Sequence, residues 1–288
     1  MGRSKEPDKA ELVRRIKRSP AYKIAYYDNE FMAQDHARPF RLQVEMMKPE
    51  ILLQQQKIKS TIVVFGGTRI VEPREATAEV RKLETKVRRN PRDRDLRKQL
   101  RIARSIKAKS HYYDEAREFG RLVSSGSRID HDHEFVIITG GGPGVMEAAN
   151  RGAFDIGAKT IGMNITLPLE QEPNPYISPE LCFQFHYFAL RKMHFLLRAK
   201  ALVAFPGGYG TLDELFEALT LVQTQKVKPL PIILFGEEYW RRLIDFEYLV
   251  NEGTIDPQDV ELFVYADKAT DAWDYIRYFY EAEDNAGS

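Results

Sequence analysis

Three short apolar runs in this chain each end in glycine. Residues 61–65 run into Gly66-Gly67-Thr68-Arg69, 135–139 into Gly140-Gly141-Gly142-Pro143-Gly144, and 201–205 into Pro206-Gly207-Gly208-Tyr209-Gly210-Thr211. Such short apolar runs, bounded by turn residues, read as strands buried on both faces, as in a parallel sheet. After the third run, Leu212, Leu215, Phe216, Leu219 and Val222 recur at helical spacing, so its glycines lie where a strand becomes a helix. The first N–H groups of a helix have no internal partner and sit at the positive end of its dipole. A loop of this kind suits an anion such as phosphate. Thr211 is expected to cap the helix, and Glu214, one turn in, lies within reach of whatever the loop holds.

Further strands are expected at 160–163, 231–235 and 262–265, with helical patterns at about 111–125, 143–155, 187–199, 211–223, 237–252 and 270–281. This alternation predicts an α/β fold: a doubly wound, Rossmann-like parallel sheet with a helical N-terminal extension and a helical insertion. Such sheets bind ligands at the carboxyl ends of their strands, near the switch in strand order. The three glycine clusters are therefore expected to converge on one crevice. The sheet domain is placed at 59–288, after a helical extension at 1–58. The extension opens with a polar, basic tail of about twenty residues. It continues with aromatics and helix formers punctuated by Pro39 and Pro49, and is expected to dock on the sheet domain.

The insertion at 73–110 is strongly basic, with Arg81, Lys82, Lys86, Arg88, Arg89, Arg92, Arg94, Arg97, Lys98, Arg101, Arg104, Lys107 and Lys109 outnumbering its acids. Asn90-Pro91-Arg92-Asp93 reads as a helix restart, and Leu96, Leu100 and Ala103 recur at helical spacing. A helical pair with a solvated, charged face is the expectation. The lack of interleaved aromatics counts against a nucleic-acid arm. The chain of 288 residues has a net charge of +1, which also counts against bulk binding to nucleic acid or membrane. Its one cysteine, Cys182, sits in the apolar run Leu181-Cys182-Phe183, reads as a buried thiol, and fits a reducing cytoplasm. The N-terminus lacks the apolar stretch of a secretory signal, and no run is long enough to span a bilayer.

Two common phosphate loops do not fit. The dinucleotide fingerprint requires a third glycine where Val145 stands, and Gly210-Thr211 lacks the lysine of a Walker loop. No His/Cys/Asp cluster has the spacing of metal ligands. What remains is Gly140-Gly141-Gly142-Pro143-Gly144-Val145-Met146-Glu147, then Arg191-Lys192, then Pro206-Gly207-Gly208-Tyr209-Gly210-Thr211-Leu212-Asp213-Glu214.

This combination, across about residues 60–280, resembles the LOG proteins, cytokinin riboside 5'-monophosphate phosphoribohydrolases often misnamed lysine decarboxylases. Pro206, Gly207, Gly208, Gly210, Thr211 and Glu214 match every defined position of the downstream pattern. In the glycine-rich stretch, Gly144 follows one intervening residue where the family pattern has two. The resemblance implies hydrolysis of the N-glycosidic bond of a nucleoside 5'-monophosphate, AMP or an N6-substituted AMP, giving free base and ribose 5-phosphate. It implies Glu214 and Arg191 as catalytic residues. The phosphate falls to Gly207, Gly208, Gly210 and Thr211. Nucleotide contacts are expected from Gly66, Gly67, Arg69, Gly141, Gly142, Gly144, Met146, Glu147 and Lys192. No metal or cofactor is implied. The family implies a homodimer whose active site is partly built from the partner. The N-terminal extension and the basic insertion depart from the short plant-type pattern. The alternative is a non-catalytic nucleotide-binding or carrier protein on the same fold.

Overall fold

In β1 (Thr61–Phe65) every residue is buried, and neighbouring side chains pack into different cores. Ile62 and Val64 join one apolar cluster, Val63 and Phe65 another. That alternation makes β1 the middle of a sheet covered on both faces. The computed structural model describes residues 8–126, 128–129, 132–168 and 172–286. By contact pattern the chain forms two units, residues 1–48 and 49–288.

The first unit holds α1 (Lys9–Lys17), α2 (Asn29–Ala33) and most of α3 (Arg38–Gln55). The described part of the expected tail is thus helical: the Asp8 side chain caps α1, although none of the helix is buried. Residues 1–7 of the tail lie outside the described residues. The unit boundary falls at Pro49, inside α3, where proline removes a helical N–H.

The second unit carries β1, then α4 (Pro73–Arg89), α5 (Arg94–Lys109) and α6 (His111–Ser125). A small antiparallel pair, β2 (Arg128–Ile129) with β3 (Asp132–His133), precedes β4 (Val136–Thr139). Then come α7 (Val145–Phe154), β5 (Thr160–Ile165), β6 (Cys182–Phe185), α8 (Phe188–Leu197), β7 (Ala199–Ala204) and α9 (Tyr209–Gln223). The chain finishes with β8 (Ile232–Phe235), α10 (Glu237–Leu243), α11 (Phe246–Asn251), β9 (Val264–Ala266) and α12 (Ala269–Ala286). The sheet order is β6-β5-β4-β1-β7-β8-β9, with every pairing parallel. Residues from α6, α7 and α12 bury one face, and residues from α8, α9, α10 and α11 bury the other. The chain builds outward from β1 through β4, β5 and β6, then returns to β7 on the other side of β1. The switch in strand order therefore lies between β1 and β7, each followed by a glycine loop.

The structure departs from the expected local pattern at three places. The run around Cys182 is a seventh strand, β6, at the edge of the sheet, with Phe183 and Phe185 turned in and Cys182 exposed. Strand alternation, not the apolar character of its neighbours, sets the position of the thiol. Thr211 is not a cap: α9 begins at Tyr209 behind Gly208, which makes Thr211 its third residue. The pattern at 237–252 is two helices, because Ile244 is extended and the Asp245 side chain caps a new start.

Candidate active site

Backbone hydrogen bonds stitch the three glycine loops together. Gly67 N–H donates to Pro206 O at 2.9 Å, and Gly67 O accepts from Val145 N–H at 3.3 Å. Gly144 makes this approach possible. Its φ is +76°, and a Cβ there would lie 2.3 Å from Gly67 O. Behind the loop after β4 lies a buried amide network. Asn174 donates to Gly142 O at 3.1 Å and to Asn150 Oδ1 at 2.9 Å, and Asn150 Oδ1 also accepts from Thr139 Oγ1 at 2.7 Å. These bonds fix the glycine loop without using any group that faces the crevice.

The crevice is a cleft of 250 Å³ at the carboxyl ends of β1 and β7. Its lining includes Gly66, Gly67 and Thr68 from the loop after β1, with Gly208, Gly210, Thr211, Asp213 and Glu214 from the start of α9. Met146 of α7 and Phe188 and Arg191 of α8 complete it, above Phe65. The N–H groups of Tyr209, Gly210 and Thr211 open α9 and have no partner inside the helix. Gly207 leaves room for Thr211: a Cβ on Gly207 would fall 2.1 Å from Thr211 Oγ1. The carbonyl of Gly207 accepts from the Tyr239 hydroxyl, which holds the loop from α10.

Arg191 and Glu214 face the same cleft from different helices. The Arg191 Nε–H donates to Met163 O at 2.7 Å, and its guanidinium lies over the Phe195 ring, 5.1 Å from the centroid. Its Nη2 fills the space where a Gly140 side chain would be. Burial lowers the Arg191 pKa, and Glu214 works against that shift. Glu214 is 8% exposed. Burial pushes its carboxyl up to about 7, against the pull of Arg191 and Lys192 and with the help of Glu217 and Asp213. The cleft thus holds a dry carboxyl that is poised to titrate at neutral pH, beside a fixed positive charge.

The other expected site residues are arranged differently. Lys192 does not line the cleft: it pairs with Asp213 at 3.1 Å and Glu217 at 3.0 Å on α9. The cause is helical geometry, since neighbouring residues point about 100° apart and only Arg191 can face inward. Glu147 accepts from the Tyr113 hydroxyl at 2.8 Å and so is turned toward α6. Arg69 is exposed and outside the lining. Gly141, Gly142 and Gly144 are buried and shape the loops. Thr68, from the same loop as Gly66 and Gly67, lines the cleft, and so does Phe188, which no motif marks. Phe188 had a signal, because it precedes Arg191 by three residues and so shares its helix face. Among the described residues, no group of three or more His, Cys, Asp or Glu is placed to hold a metal ion.

A family model described as "Possible lysine decarboxylase" matches residues 146–276. The cytokinin riboside 5'-monophosphate phosphoribohydrolase LOG3 of Arabidopsis thaliana is 30% identical over 165 residues, covering 56% of this chain and 72% of the relative. The probable phosphoribohydrolase LOGL3 of Oryza sativa subsp. japonica is 27% identical over 190 residues, covering 62% and 82%. Among solved structures, the X-ray structure of TM1055 aligns at 19% identity and a TM-score of 0.45 over 76% of this chain and 99% of that one. The Moco carrier protein of Chlamydomonas reinhardtii aligns at 18% identity and a TM-score of 0.45 over 78% and 99%. With the Arabidopsis protein, 30% identical, matched across nearly three quarters of its length, this chain belongs to the LOG family.

Proposed function

We propose that the chain hydrolyses the N-glycosidic bond of a nucleoside 5'-monophosphate, AMP or an N6-substituted AMP, to free base and ribose 5-phosphate. The observation that carries this reading is the Glu214 carboxyl, buried in the wall of a cleft that also holds an unpaired helix N-terminus and Arg191. A site that only bound a phosphate would gain nothing from a dry carboxyl beside it. Glycosidic cleavage needs one, because the sugar acquires oxocarbenium character as the bond to the base breaks.

In this reading the open N–H groups of α9 and the Thr211 hydroxyl hold the 5'-phosphate. Glu214 acts in its ionised form. It faces the positive charge that develops on the ribose and takes a proton from the attacking water as the water oxygen bonds to C1'. The base leaves with the electrons of the C1'–N bond and is protonated from solvent. Arg191, anchored through Nε, presents its remaining N–H groups to the substrate's oxygens. Met146 and Phe188 supply apolar surface for the base. At 250 Å³ the cleft is smaller than the roughly 300–1,000 Å³ typical of ligand sites. A second copy of the chain, as the family resemblance implies, would supply the missing wall. A decarboxylase reading has less support: its Schiff-base lysine works as a neutral amine. Lys192, beside Arg191 in sequence, keeps a raised pKa despite burial, because Glu217 and Asp213 hold its ammonium charged.

The test is incubation with AMP and other monophosphates, with chromatography of the free base. Release by the wild type and its loss in Glu214→Ala is the expected result. Release that persists in Glu214→Ala would remove Glu214 from the chemistry. Tight AMP binding without any release would favour the carrier alternative.

A further inference from the structure

The α4–α5 hairpin carries a large excess of basic charge, and the cleft makes no use of it. Residues 73–110 hold fourteen Lys and Arg against five Asp and Glu. At an overall +1, the rest of the chain is therefore net negative. The hairpin closes its own small core, with Val80 and Leu83 of α4 against Leu100 and Ala103 of α5. That core buries Leu100 and Ala103 of α5 and leaves the opposite face of the helix to solvent. Arg94, Arg97, Lys98 and Arg101 share that opposite face at spacings of three, four and seven residues, and all four are exposed. Among the described residues none of these four makes an ion pair, whereas Arg104, the next basic residue along the same side of α5, is paired with Glu84 at 2.8 Å.

We infer that this stripe binds the phosphodiester backbone of a double-stranded nucleic acid. Three features favour that partner. The stripe is one sign of charge in a line, mostly guanidinium, and guanidinium forks onto phosphate oxygens. A protein partner would need an apolar centre with charge kept to the rim, but the only exposed large apolar side chain on α5 among the described residues is Ile102. A single-stranded partner would need aromatic platforms for its bases, and residues 71–110 contain no aromatic. A duplex backbone needs neither. The missing aromatics, which count against single strands, leave duplex recognition by charge alone. An amphipathic membrane anchor is disfavoured because the apolar face of the hairpin is already buried within it.

The test uses the full chain and a variant carrying Arg94→Gln, Arg97→Gln, Lys98→Gln and Arg101→Gln. Glutamine keeps the helix propensity and removes the charge. Fluorescence anisotropy is read for labelled 20-base-pair DNA and RNA duplexes between 50 and 200 mM salt. The DNA and RNA arms identify which duplex is preferred. The expected wild-type result is a log–log salt dependence worth about 10²-fold in affinity over that range, as for about four neutralised phosphates. The variant is expected to lose most of that slope, about one unit per residue, with base release from AMP within twofold of wild type. Three outcomes would overturn the inference: no duplex binding at 50 mM salt, binding undiminished in the variant, or stronger binding to poly-glutamate or anionic vesicles than to duplex. Because AMP hydrolysis is read separately, failure here leaves the catalytic reading standing, and failure of hydrolysis leaves this one standing.

Discussion

Replacing Glu214 with glutamine should make the protein more stable as it makes it inactive, and the gain should depend on pH in a defined way. Burial raises the Glu214 pKa from 4.5 to about 7. The folded state therefore holds this proton more tightly than the unfolded chain does. The resulting stabilisation is fully present below the unfolded value and is lost as pH rises through about 7. A shift of this size corresponds to about 3 kcal/mol in all, of which about 2.5 kcal/mol falls between pH 5 and 8.5. Glu214→Gln stays neutral throughout and does not lose it. The stability of the variant relative to wild type should thus rise by about 2.5 kcal/mol from pH 5 to 8.5, or about 5–10 °C in melting temperature. Urea denaturation of both proteins across that range measures the difference, and common-mode titrations cancel. Base release should fall by at least about 10²-fold in the same variant. A stability difference that is flat across the range would mean that Glu214 ionises normally in the fold, and one that narrows as pH rises would mean that its pKa is lowered there. Either result would show a Glu214 carboxyl that is not dry in the folded protein.

Four further outcomes follow from the same contacts. Arg191→Lys cannot both bond Met163 O and present a fork to the cleft, so kcat/KM for AMP should drop by about 10²-fold with an unchanged circular dichroism spectrum. Gly207→Ala should push Thr211 aside, cost about 1–3 kcal/mol in urea denaturation and raise KM for AMP; an unchanged KM would separate Thr211 from the phosphate. Lys192→Gln removes the charge that offsets Asp213 and Glu217 beside Glu214, so the rise of kcat/KM with pH should move to higher pH, whereas a purely structural pair would leave that limb in place. Glu50, held below the usual carboxylate range chiefly by the Arg198 fork at 2.5 and 2.8 Å and by His194, is only half-buried, so Glu50→Gln should cost about 1–2 kcal/mol near pH 7. That loss should shrink as pH falls through its depressed folded value, as urea denaturation at acid pH would show.

Why some of this was readable in the sequence, and some not, comes down to how far each signal reaches along the chain. A strand that ends in glycines and runs into a helix is local. The loops after β1, β4 and β7 were legible because each is spelled out within about ten residues. Side-chain direction was less so. Cys182 looked buried because its neighbours are apolar, but at the edge of a sheet the alternation of β6 decides, and that requires knowing where the strand pairs. Arg191 and Lys192 show the same limit inside a helix. A motif names them together, yet 100° of helical rotation sends one into the cleft and the other to the acids of α9. Glu147 is similar, since its partner Tyr113 lies 34 residues away on α6 and no local pattern predicts the bond. The basic hairpin is the clearest case. Its charge was plain from composition, but whether those charges were paired, scattered or aligned was not. Only the packing of Leu83 against Leu100 fixes which face of α5 is left outward, and so turns a count of arginines into a line of them.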